Sequence, residues 1–154
     1  MTATSRILVA LKDMDQVEEL ISLACILAQA EKGRAIHVVH VIQIPRALPL
    51  DTELTAETDA GESMLARAET VAEERFELAI ETELLQAREA GPAILEDAKE
   101  KGVDLIILGY NRRRRFGERL IRATTLEYVV RHAPCQVLLS VSQTKAVSEI
   151  TRRA

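Results

Sequence analysis

Two hydrophobic rhythms alternate along this chain. Continuous apolar runs stand at Arg6-Ile-Leu-Val-Ala-Leu11, Ala35-Ile-His-Val-Val-His-Val-Ile42, Val103-Asp-Leu-Ile-Ile-Leu108 and Gln136-Val-Leu-Leu-Ser-Val141. All four read as strands, the first and third as strands buried on both faces, while the last would expose an edge if left alone. Between them the apolar positions recur at helical spacing. Val17, Leu20, Ile21, Ala24 and Leu27 form one such stripe, opened by an Asp15/Glu18 capping box and closed by Gly33. Residues 53–76 are acidic and alanine-rich and predict a helix with a wet outer face, Gly61 breaking its first turn. Leu78, Ile80, Thr82 and Leu84 alternate with Glu77, Ala79, Glu81 and Glu83, the period of a strand with one wet face, an edge. Gly91-Pro92 starts another helix and Gly102 ends it, and a last helix is expected over about 124–133.

Strands and helices that alternate in this way predict an α/β fold, an open five-stranded parallel sheet with helices on both faces. Residues 1–142 read as a single domain and 143–154 as a polar tail. In such sheets ligands bind at the carboxyl ends of the strands where the strand order reverses, which places the candidate crevice at Leu11–Asp13 and from Leu108 onward.

Composition narrows the classes. Aromatics make up 3% of the 154 residues, so the core is aliphatic and base-stacking nucleic-acid modules are disfavoured. The net charge of −4 gives no general attraction to nucleic acid or membranes, and no apolar run approaches the ~20 residues a span needs. A cytoplasmic protein is expected. Within residues 112–122, however, six arginines against Glu118 leave a local +5 on a remainder of −9. A basic loop at the crevice is either a solvated face or a place for an anion. The pair Thr124/Glu127 fits a capping box whose amides would also suit a phosphate.

Other chemistry is thin. Cys25 and Cys135 are expected as free core thiols. His37 and His40 lie on opposite faces of one strand and lack further ligands, so no metal site is expected. No nucleophile–base pair or carboxylate pair stands near the crevice, so no catalytic residue is assigned.

The pieces ILVAL, HVVHVI, GPAILEDAKEKGVDLIILG and TLEYVVRHAPCQVLL resemble the universal stress protein family across nearly the whole chain. The resemblance implies a five-stranded parallel sheet, like one half of a Rossmann arrangement, and a homodimer formed through the last strand, Gln136 to Val141. His132, inside RHAPC, is then structural. The family's nucleotide binders carry G-x2-G-x9-G-[ST] after the fourth strand and an acid after the first. Here Gly109 matches the first glycine, Arg112 and Ala123 stand at the other two in a loop one residue longer, and Thr124 matches the Ser/Thr. Lys12 replaces the acid, next to Asp13.

The resemblance therefore implies a stress-response or signalling module that binds ATP, or another phosphorylated or anionic ligand, with Mg only alongside a nucleotide. Its expected site is Ala10, Leu11, Lys12, Val41, Leu108, Gly109, Arg112, Arg113, Ala123, Thr124 and Thr125. The alternative is a protein-interaction module without a nucleotide, because HVIQIPRALPLD resembles transporter-associated members. The arginines would then meet an acidic protein partner. ATP hydrolysis would need a positioned water and a metal ligand, which these motifs do not supply.

Overall fold

The apolar runs become the strands of one parallel sheet in a computed structural model that describes residues 5–111 and 124–142. The strands are β1 (Arg6–Ala10), β2 (Ala35–Gln43), β3 (Glu81–Ala87), β4 (Leu105–Asn111) and β5 (Gln136–Ser142), in the order β3-β2-β1-β4-β5. All four pairings are parallel, with Leu8 opposite both His37 and Ile106. Helices α1 (Val17–Ala30) and α2 (Thr55–Phe76) cover one face, and α3 (Ala90–Lys101) and α4 (Thr124–His132) cover the other.

Strand β1 lies at the centre, and its continuous apolar run follows from that position. Ile7 and Val9 point into the α1/α2 layer, while Leu8 and Ala10 point into the α3/α4 layer. Ile7, Leu8 and Val9 are fully enclosed, and burying each such side chain contributes about 1.5–3 kcal/mol before entropy is counted. Cys25 lies in the same core, and burial pushes its thiol up to about 11. Cys135 is only half-buried, where full burial was expected; burial and the charge of Asp104 raise its thiol as well.

Several local expectations are corrected. Asp15 does not cap α1: it sits within a short 3₁₀ turn, Met14–Gln16, and the helix begins after it. Gly61 does not break a helix turn either. It lies inside α2, where a Cβ would come within 2.7 Å of Leu84 and 3.1 Å of His40, so its lack of a side chain lets α2 approach the sheet. The edge strand starts later than its alternation suggests. Glu77 is the left-handed cap of α2, and Leu78 and Ile80 pack on the core before β3 begins. Gly102 ends α3 with a φ of +63°, as the sequence indicated.

Candidate functional site

The strand order reverses between β1 and β4, so their carboxyl ends open side by side. Ala10, Leu11, Lys12, Leu108 and Gly109 come together there. Val41 belongs to the neighbouring β2 and packs, half-buried, against the α3/α4 core. Thr124 begins α4 and Thr125 is half-buried in its first turn. Arg112, Arg113 and Ala123, with the rest of the arginine loop and the tail 143–154, lie outside the described residues.

The floor of the crevice is held by two side chains, Gln16, which the sequence pattern did not single out, and His40, which it named only to set aside as a metal ligand. Gln16, only 9% exposed, accepts from the Lys12 amide at 2.9 Å and donates from Nε2 to the Gly109 carbonyl at 3.2 Å. One amide side chain therefore joins the ends of β1 and β4 across the reversal point. Nothing in the polar stretch Met14-Asp-Gln16 marks it in advance, because its role comes from tertiary placement. Gly109 has to be small here, since a Cβ would meet Leu20 at 3.0 Å and Gln16 Nε2 at 3.1 Å. His40 Nδ1 lies 2.8 Å from the Leu11 carbonyl, an acceptor, so this nitrogen carries the proton and donates. The Leu11 amide in turn donates to the Val39 carbonyl at 2.9 Å. Lys12 itself is exposed.

A second polar cluster lies on the α3/α4 side, under the end of α3. His37 Nε2 stands 3.0 Å from Glu83 Oε1 and 3.2 Å from Asp97 Oδ2. Lys101 Nζ donates to Asp97 Oδ1 at 2.6 Å and to Glu83 Oε1 at 3.0 Å. Burial pushes the Glu83 carboxyl up, but the hydrogen bonds from Lys101 and His37 outweigh it and hold it below its ordinary value. The bond to Asp97 raises the Lys101 ammonium. No ligand partner for His37 stood out in the sequence; the fold brings it Glu83 and Asp97. One signal was present, because Asp97 falls on the apolar stripe formed by Ile94, Leu95 and Ala98.

Comparison with known proteins settles the family. The family model described as "Universal stress protein family" matches residues 4–140. This chain belongs to that family. No curated protein sequence matches it. Among solved structures it is similar to a universal stress protein from Archaeoglobus fulgidus, at 22% identity and a TM-score of 0.70, covering 89% of this chain and 98% of that one. A protein of the family from Burkholderia pseudomallei is 25% identical with a TM-score of 0.62, covering 88% and 95% of the two chains. The Archaeoglobus fulgidus universal stress protein in complex with dAMP is 18% identical with a TM-score of 0.66, covering 90% and 98%. Within this universal stress protein fold, no described helix is long and apolar enough to cross a membrane.

Proposed function

We propose that this universal stress protein is a regulatory module whose crevice between β1 and β4 takes an adenine nucleotide or another phosphorylated ligand. The observation carrying this reading is that β1 and β4, with Gly109 near the end of β4, finish side by side where the strand order reverses, and α4 is the next described element along the chain. The first-turn amides of α4 have no intrahelical acceptor and carry the positive end of the helix dipole. The dAMP complex of a similar fold supports the same reading. Because Gln16 and His40 already engage Lys12 N, Gly109 O and Leu11 O, a ligand is left with the rim. There Lys12 and the amides at Thr124 and Thr125 are the expected contacts, with Arg112 and Arg113 adding charge from the neighbouring loop and Mg entering only with a nucleotide.

Thermal-shift titration with ATP, AMP and inorganic triphosphate tests this. A ligand at ~100 times its dissociation constant adds ~2.7 kcal/mol to stability. A shift that is lost in Lys12→Ala and in an Arg112/Arg113→Ala double variant is expected. No shift with any of the three overturns the reading.

The second reading is a protein-interaction module without a nucleotide. The Gln16 bridge favours it, because one of this chain's own side chains closes the crevice floor. Salt-sensitive capture of an acidic protein, together with flat nucleotide titrations, is its expected signature. Under either reading a homodimer through β5 is proposed. The outer edge of β5 pairs with no other described strand, and Leu139 and Val141 are 42% and 47% exposed. Light scattering of Val141→Lys is expected to show a monomer where the parent chain is a dimer.

A further inference from the structure

The His37–Glu83–Asp97 cluster lies on the α3/α4 side of the sheet and plays no part in the crevice. His37 is 6% exposed and Asp97 3%, so both sit in the core layer rather than on a solvated face. The imidazole Nε2 faces two carboxylate oxygens at once. A nitrogen with one N–H serves one acceptor, and Glu83 Oε1 is the nearer. Asp97 Oδ2 accordingly has no hydrogen-bond partner, although it is buried and aimed at the imidazole. Nδ1 is also buried without a partner, so no hydrogen bond there fixes which nitrogen carries the proton. Lys101 serves Oδ1 of the same carboxylate but not Oδ2, and a buried carboxylate oxygen left without a partner is costly enough to call for an explanation.

We propose that His37 Nε2, Glu83 Oε1 and Asp97 Oδ2 form a binding site for a divalent transition-metal ion of the zinc type. A cation on the Nε2 lone pair reaches both oxygens together, which a single proton does not. The spacing fits: bonds of about 2.0–2.1 Å in a tetrahedron separate neighbouring ligand atoms by about 3.3 Å, against the observed 3.0 and 3.2 Å. One imidazole with two carboxylates is a three-ligand set that leaves a fourth position open. An all-oxygen ion such as Mg²⁺ is poorly matched to an imidazole ligand.

Two neighbours define how the site works. Lys101 holds the same two carboxylates with its ammonium and is the competitor an incoming ion displaces. Its side chain is 27% exposed at the end of α3, so it has a way out to solvent. A groove of about 440 Å³ opens onto Glu83 and Asp97 and is also lined by Glu89, Glu96 and Glu100. Among the described residues Arg88 is the one cation in that lining, and its guanidinium is turned to the carbonyls of Pro45 and Leu48 at 2.6 and 2.7 Å. The groove therefore concentrates cations at the mouth of the site.

The test uses the full chain, stripped with chelator and dialysed, then titrated with Zn²⁺ or Mg²⁺ against a chromophoric chelator. Thermal shift is read in parallel, and circular dichroism confirms that each variant is folded. The parent is expected to bind one Zn²⁺ and gain thermal stability, with Mg²⁺ giving no comparable shift. His37→Gln and Asp97→Asn are expected to lose that equivalent, and Lys101→Met to bind Zn²⁺ more tightly. The Lys101 variant keeps the proposal falsifiable if a ligand variant fails to fold. Zinc uptake unchanged in the ligand variants, equal shifts with Mg²⁺, or no tightening in Lys101→Met would each overturn it.

Discussion

Replacing Gln16 by alanine removes both hydrogen bonds that join β1 to β4 at the crevice. The Lys12 amide loses its acceptor at 2.9 Å and the Gly109 carbonyl its donor at 3.2 Å. Each buried group left without a partner costs about 1–3 kcal/mol, and water entering the crevice returns part of that. A net loss of about 2 kcal/mol is expected. For a chain of this size that lowers Tm by about 4–8 °C. Gln16→Glu separates the two bonds. Its carboxylate still accepts from Lys12 N but turns a negative oxygen towards the Gly109 carbonyl, and protonation restores a donor. The introduced group thus has a folded pKa raised above its unfolded one, and for an acid this destabilises the fold increasingly as pH rises. Gln16→Glu should sit closer to the parent at pH 5 than at pH 8. Urea unfolding followed by circular dichroism at both pH values measures this. A Gln16→Ala change within about 0.5 kcal/mol of the parent, with Gln16→Glu flat in pH, would show that the bridge contributes nothing.

Gly91→Ala places a Cβ 2.9–3.0 Å from Tyr128 Cδ1, Cβ and Cγ, forcing α3 away from α4. A loss of about 1–3 kcal/mol in chemical denaturation is expected, and Tyr128→Ala in the same chain should make the pair less costly than the sum. Glu83, held below its ordinary 4.5, contributes stability that is present above that value and is lost as pH falls through its lower folded pKa. Lys101, raised above 10.5, contributes stability present below that value and lost as pH rises through its higher folded pKa. Denaturant midpoints across pH should show both limits in the parent and weaker ones in Lys101→Met. Arg88→Met removes the clasp on the Pro45 and Leu48 carbonyls, and limited proteolysis is expected to cut between 45 and 52 faster than in the parent.

What the sequence made legible follows from period and punctuation. Central strands such as Ile7–Val9 announce themselves because both faces are dry, and Gly102 announces a helix end because it takes a positive φ. The alternation from Glu77 to Leu84 misplaced the start of β3, since Leu78 and Ile80 are buried by packing before any strand pairing begins. Gln16 and the His37 cluster stayed hidden for a different reason. Their partners are distant in sequence, Gly109 for the first and Glu83 and Asp97 for the second, and no local pattern encodes such meetings. Even the capping residues moved this way: the Ala90 amide at the start of α3 is met by Gln43 Oε1 from the end of β2, at 3.0 Å.

The central place of β1 also bears on how the chain assembles. Its partner on one side, β2, follows soon after it, but Ile7 meets Leu105 on the other side only after β4 has been synthesised. A nascent chain on the ribosome therefore carries its most apolar strand with one unsatisfied flank for most of its emergence. Translation speed and chaperone supply should therefore bear on how much of this protein reaches its native state.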